Sequence, residues 1–389
     1  MSQRVLSVFG TRPEAIKMAP LVRRLAEADG IDARVCVTGQ HREMLDSVLR
    51  LFELEPDHDL GLMRPGQDLT DVTSGVLLGL RDVLREERPD LVLVHGDTTT
   101  CFAAALAAFY EDVPIGHVEA GLRTGDPRRP FPEEQNRVLT GRLASRHFAP
   151  TPGAAQHLVD EGVPRERVHV TGNTVIDALL DVRARVSGAP AERFSSAFTP
   201  GLVATLDARP ERLVLITGHR RESFGQGFED LCAAVRQLAL AHPGWQFVYP
   251  VHLNPKVRGP VHANLGDLAN VALVEPVDYA PFVWLMDRAD LILTDSGGIQ
   301  EEAPALGVPV LVTRDVTERP EAVAAGTVRL VGTDPRRIVD SAEELLAGGE
   351  QARRMARASN PYGDGRACER IVALLRGREV REFGLDQAA

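Results

Sequence analysis

Residues 291–302 read LILTDSGGIQEE: a short apolar run ends at a polar turn, and a helical segment follows. The same order recurs along the chain, where short β-branched runs bounded by turn residues alternate with amphipathic stretches. Apolar strands that alternate with helices indicate parallel sheets covered on both faces. The predicted strands are residues 5–10, 33–39, 91–97, 113–121, 146–151, 168–173, 212–220, 245–252, 270–276, 291–298 and 308–313.

A stretch rich in Ser, Pro, Ala and Gly separates the two series of strands at residues 187–212. Its apolar residues follow no long period, so we interpret it as a domain junction. The length of 389 residues also favours two domains. The predicted class is α/β, with two Rossmann-like parallel-sheet domains and an interdomain cleft. The predicted domains span residues 1–186 and 187–363.

Charge and cysteine content narrow the class of protein. The net charge of −11 leaves no basic surface dominant, so we expect no nucleic-acid partner and no membrane partner. The chain opens without a signal-peptide pattern, and its longest apolar run is too short to span a bilayer. We expect a cytoplasmic protein without zinc or disulfides, because no CxxC pair occurs among Cys36, Cys101, Cys232 and Cys368.

Common cofactor motifs are absent from the sequence. No GxGxxG follows the first predicted strand, and no GxxxxGKS/T, GxSxG or HExxH occurs. These absences disfavour a nicotinamide enzyme and a P-loop phosphotransferase. We therefore expect no cofactor and no metal, and acid–base chemistry carried by carboxylates and histidine.

Polar side chains follow the predicted strands in both halves of the chain. Ligands of open parallel sheets bind beyond the carboxyl ends of the strands. We therefore expect the site in the cleft between the domains. The segments expected to line it are GTRPEAIK (10–17), HGDTTT (95–100), HVEAGLRTGD (117–126), TGHRRESFG (217–225) and TDSGGIQEE (294–302).

The segment GTRPEAIK combines a helix start with two cations. Pro13 suits the first position of a helix, which places Arg12 at the helix mouth and Lys17 about one turn further on. Two cations beside a helix N-terminus favour phosphate or a developing anion. The alternative, which this motif alone would favour, is a solvated arginine and lysine on an ordinary helix.

Three carboxylates, Asp97, Glu119 and Glu133, stand near predicted strand ends. Adjacent strand ends lie ~5 Å apart, so Asp97 and Glu119 are expected to share a pocket, where crowding would raise their pKa values. Alternatively, Asp97 could cap a helix. Glu133 could instead complement a helix dipole or pair with Arg137. For Glu119, at the end of a buried strand, a functional role is favoured.

The segment TDSGGIQEE predicts a ligand with both phosphate and hydroxyl groups. Gly297 and Gly298 would let a ligand reach the free N–H groups of a helix that Asp295 or Ser296 could cap. Glu302 lies four residues after Gly298 on the same face, where its carboxylate can accept hydrogen bonds from ribose hydroxyl groups. Glu301 is expected on another face of the helix, in solvent. A nucleoside diphosphate suits both features. The alternative is a glycine-softened helix start with solvated glutamates.

Two further segments add polar side chains after strands. His219 could carry a proton or donate a hydrogen bond to a leaving group, with a structural histidine as an equal alternative. The segment 313–322 adds Arg314 and Arg319 on the same side of the second domain as the glycine pair.

Together these motifs resemble those of the bacterial-type, non-hydrolysing UDP-N-acetylglucosamine 2-epimerases. The matching blocks run from Val5 to about Cys368 and include GTRPEAIKMAPLV, VHGDTTT, GHVEAGLRTGD, PEEQNR, TGHRRESFG and TDSGGIQEEAPALG. The resemblance implies the glycosyltransferase-B fold with UDP on the second domain, a homodimer, and no metal. It also implies a C-terminal helix, here about 364–380, that packs back on the first domain.

The activity that the resemblance implies is reversible conversion of UDP-GlcNAc to UDP-ManNAc at sugar carbon 2, through elimination and re-addition of UDP. A UDP-sugar transferase of the same fold, a hydrolysing epimerase and a non-catalytic UDP-sugar sensor remain alternatives. The implied catalytic residues are Asp97, Glu119, Glu133, His219 and Lys17. The implied substrate-binding residues are Arg12, Lys17, His219, Phe282, Ser296, Gly297, Gly298, Glu302 and Arg319. A second, activating UDP-GlcNAc is implied at Gln40, Glu43, Arg220, Glu222 and His252.

Overall fold

The computed structural model describes residues 2–39, 42–218 and 225–384, the side chains of residues 42 and 43 excepted. The chain forms two compact units, each built on one parallel sheet. The first unit comprises Met1–Ala178 and Tyr362–Ala389, and the second comprises Leu179–Pro361. The predicted α/β class with two parallel-sheet domains is confirmed. The division falls at Ala178, whereas the sequence predicts it at residue 186.

The sheet of the first unit has the strand order β3-β2-β1-β4-β5-β6-β7. Its strands are Gln3–Phe9 (β1), Ile31–Val37 (β2), His58–Asp59 (β3), Leu91–His95 (β4), Ile115–Val118 (β5), Arg146–Ala149 (β6) and Val168–Val170 (β7). Its helices are Arg12–Ala26 (α1), Arg42–Phe52 (α2), Leu69–Glu87 (α3), Thr99–Tyr110 (α4), Glu133–Leu143 (α5) and Pro152–Asp160 (α6). The next helix, Thr174–Val186 (α7), begins in the first unit and ends in the second.

The second unit is a sheet in the order β10-β9-β8-β11-β12-β13. Its strands are Arg212–Thr217 (β8), Trp245–Pro250 (β9), Val271–Val274 (β10), Leu291–Thr294 (β11), Val310–Val312 (β12) and Val328–Leu330 (β13). Its helices are Pro200–Asp207 (α8), Gln226–Ala241 (α9), Pro255–Leu265 (α10), Tyr279–Arg288 (α11), Gly297–Glu302 (α12), Pro320–Ala324 (α13), Pro335–Leu346 (α14) and Glu350–Arg357 (α15).

Apolar runs fix the strands at the centre of each sheet. The run LILT (291–294) is β11, which pairs with β8 on one side and β12 on the other and is buried along its length. LVLVH (91–95) is β4, buried in the same way between β1 and β5. The sequence does not predict β3 and β13, because their residues, HD and VRL, form no continuous apolar run.

The stretch predicted as a domain junction is a packed part of the second unit. It holds a short 3-10 helix, Ala191–Phe194, and α8. The rings of Phe194 and Phe198 lie 5.3 and 5.9 Å from the buried ring of Trp284 on α11. Aromatic contacts at these distances stabilise beyond the area that they bury. The stretch is therefore held by the core of the unit that follows it.

The C-terminal segment belongs to the first unit, where it forms the last helix, Ala367–Leu375 (α16). The buried carboxylate of Asp177 on α7 accepts hydrogen bonds from the backbone N–H groups of Ala367 and Cys368, at 3.1 and 2.9 Å. Further on, the N–H of Phe383 donates to the carbonyl of Val170 at 2.9 Å. These bonds satisfy the free N–H groups of a helix start and attach the segment at two points.

Candidate active site

Glu119 directly follows β5, and its backbone has a φ of 59° in the left-handed region. A residue other than glycine in this region costs about 1–3 kcal/mol and persists only where its surroundings hold it. The backbone carbonyl of Glu119 accepts a hydrogen bond from the buried guanidinium of Arg137 on α5. The strained turn is therefore held by a charged side chain.

The carboxylate of Glu119 is buried among donors from three elements. Its Oε2 accepts from Lys17 Nζ on α1 and from Asn173 Nδ2 at 3.0 Å, and Arg137 lies 3.4 Å from Oε1. The Nε2 atom of His95 lies 3.8 Å from Oε2. Burial alone would raise the pKa of Glu119, but the charge of Lys17, then those of protonated His95 and of Arg137, hold it well below its usual range. The predicted rise of this pKa is wrong, because cations outweigh carboxylates around the group.

Arg137 connects the two carboxylates that the sequence places at neighbouring strand ends. The same terminal nitrogen donates to Asp97 Oδ2 and lies next to Glu119 Oε1. Asn136 Nδ2 donates to the carbonyl of Asp97 at 3.0 Å. Asp97 and Glu119 therefore do share one pocket. The cap of α4 is Thr98, not Asp97, so the capping alternative for Asp97 is wrong.

Glu133 is the first residue of α5 and is half-buried. Burial, followed by the nearby charge of Asp97, raises its pKa. A raised pKa suits a carboxylate for proton exchange. Glu134, the next residue, has a structural role. It is buried and accepts hydrogen bonds from the backbone N–H groups of Thr124 and Gly125, which fixes the loop ahead of the helix.

At the start of α1, where the sequence predicts an anion site, a carboxylate of the chain caps the helix. The anion site itself stays a prediction. The helix begins with a capping box, in which the carboxylate of Glu14 accepts from the N–H groups of Gly10 and Thr11 at 3.0 and 2.8 Å. Glu14 also accepts from Thr98 Oγ1 at 2.6 Å. The helix dipole is therefore already met by a carboxylate of the chain itself. Lys17, one turn on, pairs with Glu119.

In the second unit, Ser296 is the N-cap of α12 and makes no side-chain capping bond. A Cβ placed on Gly298 would lie 3.6 Å from Glu302 Oε1, so the glycine and the carboxylate lie on one face, as the sequence predicts. Glu302 Oε2 accepts from the hydroxyl of Tyr279 on α11 at 2.8 Å. Phe282 is half-buried and lies three residues along α11 from this tyrosine.

Glu301 is a correction to the sequence reading. It is only 1% exposed, not solvated, and its carboxylate accepts from the guanidinium of Arg319. A buried carboxylate requires a paired cation, and Arg319 reaches Glu301 from the N-cap of α13. Arg314, also buried, lies 3.3 Å from the carboxylate of Glu318. Arg319, which the sequence predicts to bind a ligand, therefore also balances the internal charge of Glu301.

Several predicted residues lie outside the described part of the chain: His219, Arg220, Glu222, Gln40 and the side chain of Glu43. His252 is described and exposed, just after β9, where its Nδ1 accepts from the N–H of Asn254 at 3.1 Å. The activator site stays a prediction. Across residues 2–39, 42–218 and 225–384, no group of three or more His, Cys, Asp or Glu side chains is arranged to hold a metal ion.

Four residues of the site escape sequence reasoning: Arg137, Asn173, His95 and Tyr279. Arg137 is visible in the sequence only as a neighbour of Glu133 on α5, whereas its partners Asp97 and Glu119 are distant along the chain. His95 and Asn173 do carry a signal, since each stands at or just after the end of a strand, in HGD and TGN. Tyr279 carries none, because an aromatic residue in a helix is usually part of a core.

Comparison with known proteins gives the family. The chain matches the model of the UDP-N-acetylglucosamine 2-epimerase family over residues 23–376. It is 59% identical over 377 residues to the UDP-N-acetylglucosamine 2-epimerase of Yersinia pestis, covering 97% of this chain and 99% of that one. It is 58% identical to the enzyme of the same name from Escherichia coli strain K12, with the same coverage.

A solved structure shares the architecture. The UDP-GlcNAc 2-epimerase of Neisseria meningitidis, bound to UDP-GlcNAc, superposes with a TM-score of 0.87 at 49% identity, covering 97% of this chain and 100% of that one. The fold and these matches define an isomerase built on two Rossmann-like units. The chain belongs to the UDP-N-acetylglucosamine 2-epimerase family. The bacterial-type membership predicted from the sequence motifs is confirmed.

The buried charge of Glu119 should appear in the pH dependence of stability. We expect Glu119→Gln to lower the free energy of unfolding by about 3–5 kcal/mol at pH 7, because Lys17 and Arg137 lose their buried counter-charge. The folded pKa is depressed, so the contribution of the carboxylate is full above the unfolded pKa of ~4.3. It is lost as pH falls through the folded value.

Urea unfolding at pH 7 and at a series of lower pH values checks this expectation. The gap between wild type and variant should narrow once the pH is below about 4. Glu344→Gln is the matched control, since Glu344 is 51% exposed in its pair with Arg329, and we expect a change within about 0.5 kcal/mol. Equal losses in the two variants at pH 7 would contradict the assignment.

Proposed function

We propose that the protein interconverts UDP-GlcNAc and UDP-ManNAc without net hydrolysis. Carbon 2 of the sugar is not next to a carbonyl, so its proton is not acidic and direct removal would be very slow. In the proposed path a base takes the carbon-2 proton while the bond from carbon 1 to UDP breaks with its electron pair. This leaves 2-acetamidoglucal. UDP oxygen then adds back to carbon 1 as a proton is delivered to the other face of carbon 2.

The observation that carries this proposal is the opposite shift in the pKa values of two carboxylates that share Arg137 as a neighbour. The pKa of Glu133 is raised, by burial first and by Asp97 next, which suits a group that exchanges protons near neutral pH. The pKa of Glu119 is depressed despite burial, so it stays ionised and can stabilise positive charge that develops on the sugar ring. Asp97, held by Arg137, is the second proton-exchanging group of the proposal.

Residues of the second unit are proposed to hold the UDP part. Ser296 leaves the N–H groups at the start of α12 without a side-chain cap, and Gly298 adds no Cβ on the face of Glu302. The hydroxyl of Tyr279 donates to Glu302 Oε2 and orients the carboxylate that is proposed to accept hydrogen bonds from the ribose hydroxyls. The relative from Neisseria meningitidis was solved bound to UDP-GlcNAc, which supports a ligand of this class. Lys17, together with His219 and Arg12, completes the proposed phosphate contacts by motif.

Incubation with UDP-GlcNAc in deuterium oxide tests the reaction. We expect a UDP-ManNAc fraction and deuterium at carbon 2 in both nucleotide sugars, because the proton leaves and returns through groups that exchange with solvent. NMR of the sugar protons is the measurement. A UDP-ManNAc product without deuterium would exclude the elimination path. Free ManNAc in amounts equal to UDP would indicate a hydrolysing epimerase, and sugar transfer to an added acceptor would indicate a transferase.

Two substitutions separate chemistry from binding. We expect Asp97→Asn to lower kcat by about 100-fold or more, since it removes a proton-exchanging group. Glu302→Ala should instead raise the Kd of UDP by about tenfold, because ribose hydroxyls lose a charged acceptor. Steady-state kinetics and calorimetric titration with UDP are the measurements. Asp82→Asn and Glu350→Ala, both at exposed positions, are the controls, and an Asp97→Asn variant with unchanged kcat would remove Asp97 from the mechanism.

We also propose a homodimer that resides in the cytoplasm. The neighbouring helices α3, α4 and α5 present large apolar side chains to solvent, namely Leu78, Phe109, Tyr110 and Leu139. Exposed apolar side chains on adjoining elements are typical of a surface that another chain covers. The reducing compartment is supported by four buried cysteines without disulfide partners. Within the described residues, no helix combines the length and apolar character needed to cross a membrane.

Sedimentation velocity tests the dimer. The wild type should sediment as a dimer at micromolar concentration, and Phe109→Glu should shift it towards monomer, because a buried charge without a partner opposes association. Leu240→Glu, at a residue 65% exposed on α9, is the control and should leave the dimer intact. A wild type that sediments as a monomer across the concentration series would contradict the proposal.

A further inference from the structure

His95 is the last residue of β4 and is 2% exposed. Neither of its ring nitrogens has a hydrogen-bond partner among the described residues. Burying a polar group without a hydrogen bond is costly, so a native protein that retains one calls for an explanation. Burial lowers the pKa of His95 to about 3. The ring is therefore neutral near pH 7 and carries one N–H donor.

The ring of His95 lies beside the carboxylate that already has the most donors. Its Nε2 atom is 3.8 Å from Glu119 Oε2, which is too long for a hydrogen bond. The same oxygen accepts from Lys17 and from Asn173. In this arrangement His95 is an additional potential hydrogen-bond donor beside Glu119 Oε2, which already accepts two hydrogen bonds.

Under the proposed function, Lys17 also binds the substrate. It pairs with Glu119 here, and by motif it also contacts the anionic part of the substrate. An ammonium group that donates to two acceptors divides its hydrogen bonds and its electrostatic attraction between them. The ion pair between Lys17 and Glu119 is therefore weaker when substrate is bound. Glu119 would then keep Asn173 and the longer contact to Arg137, at 3.4 Å. A small rotation of the carboxylate would bring Oε2 within hydrogen-bond reach of His95.

We propose that His95 is a positioning residue for the reaction, whose Nε2–H becomes the hydrogen-bond donor to Glu119 when Lys17 engages the anionic part of the substrate. The inference rests on the proposed function, which gives Lys17 its second acceptor. A neutral donor suits this place because it orients the carboxylate without adding a charge. Glu119 keeps its position and its ionised form while UDP departs.

The proposal predicts a pH signature that differs between free and substrate-bound enzyme. The ionisable groups that face Glu119 are Lys17 on α1, His95 on β4 and Arg137 on α5. In the free enzyme His95 lies 3.8 Å from Glu119 and lowers its pKa only through the charge of the protonated ring, whose own pKa is about 3. Above that pH, loss of His95 therefore changes the ionisation of Glu119 little. In the substrate complex, loss of His95 removes a donor to the charged form and raises the pKa of Glu119.

The test compares His95→Gln with His95→Leu. The amide of glutamine reaches about as far as Nε2, whereas leucine has a similar size and no donor. We expect the Gln variant to keep kcat for UDP-GlcNAc within about threefold, and the Leu variant to lose about 10- to 100-fold, the weight of one hydrogen bond to a charged group. KM should change little. In the Leu variant the acidic limb of kcat should move to higher pH, while that of kcat/KM stays in place.

In the kinetic comparison, three results would overturn the proposal: equal losses in the two variants, a loss below about twofold in the Leu variant, or parallel shifts of both pH limbs. If circular dichroism shows that the Leu variant does not fold, His95→Asn replaces it, because its shorter amide does not reach Glu119. The Gln variant remains the matched partner.

A spectroscopic arm does not depend on turnover. NMR of wild-type protein with isotope-labelled histidine should show the His95 signal, identified by its loss in the Gln variant, shift its Nε2 resonance on saturation with UDP. An unchanged resonance at saturation would overturn the proposal. A wild type that shows the shift but does not epimerise UDP-GlcNAc would contradict the proposed function alone.

Discussion

The buried carboxylate of Glu119 is the charge around which the first unit arranges its candidate site. Taking a carboxylate out of water costs several kcal/mol, which is recovered only through well-placed cations and hydrogen bonds. Lys17, Arg137 and Asn173 meet this cost from α1, from α5 and from the turn ahead of α7. Balancing one charge therefore fixes three elements at the end of β5, and the geometry of the site follows from that balance.

Two carboxylates of the site have pKa values shifted in opposite directions. Glu119 is surrounded by hydrogen-bond donors and cations that keep its pKa low. Glu133 stands at a half-exposed helix start, where burial and the charge of Asp97 raise its pKa. Groups whose surroundings push their pKa values apart can divide acid–base and electrostatic roles between them. The fold produces this difference by placing one carboxylate on a strand end and the other on a helix start.

The sequence predicts the parts of this structure that depend on local pattern. The α/β class, the central strands and the shared face of Gly298 and Glu302 all follow from apolar runs and helix periodicity. It fails where a side chain chooses among distant partners. Arg137 donates to groups 40 and 18 residues away, not to its helix neighbour, and Glu301 is buried because Arg319 reaches it from another helix. A pKa depends on all such partners at once, which is why the direction for Glu119 is wrong in the sequence reading.

The left-handed backbone of Glu119 has an evolutionary consequence. A glycine there would relieve the strained φ, worth about 1–3 kcal/mol. It would also leave Lys17 and Arg137 without their buried counter-charge, which costs about 3–5 kcal/mol. Drift towards glycine is therefore opposed by stability itself, before any loss of turnover, and engineering for thermostability would gain nothing from that substitution.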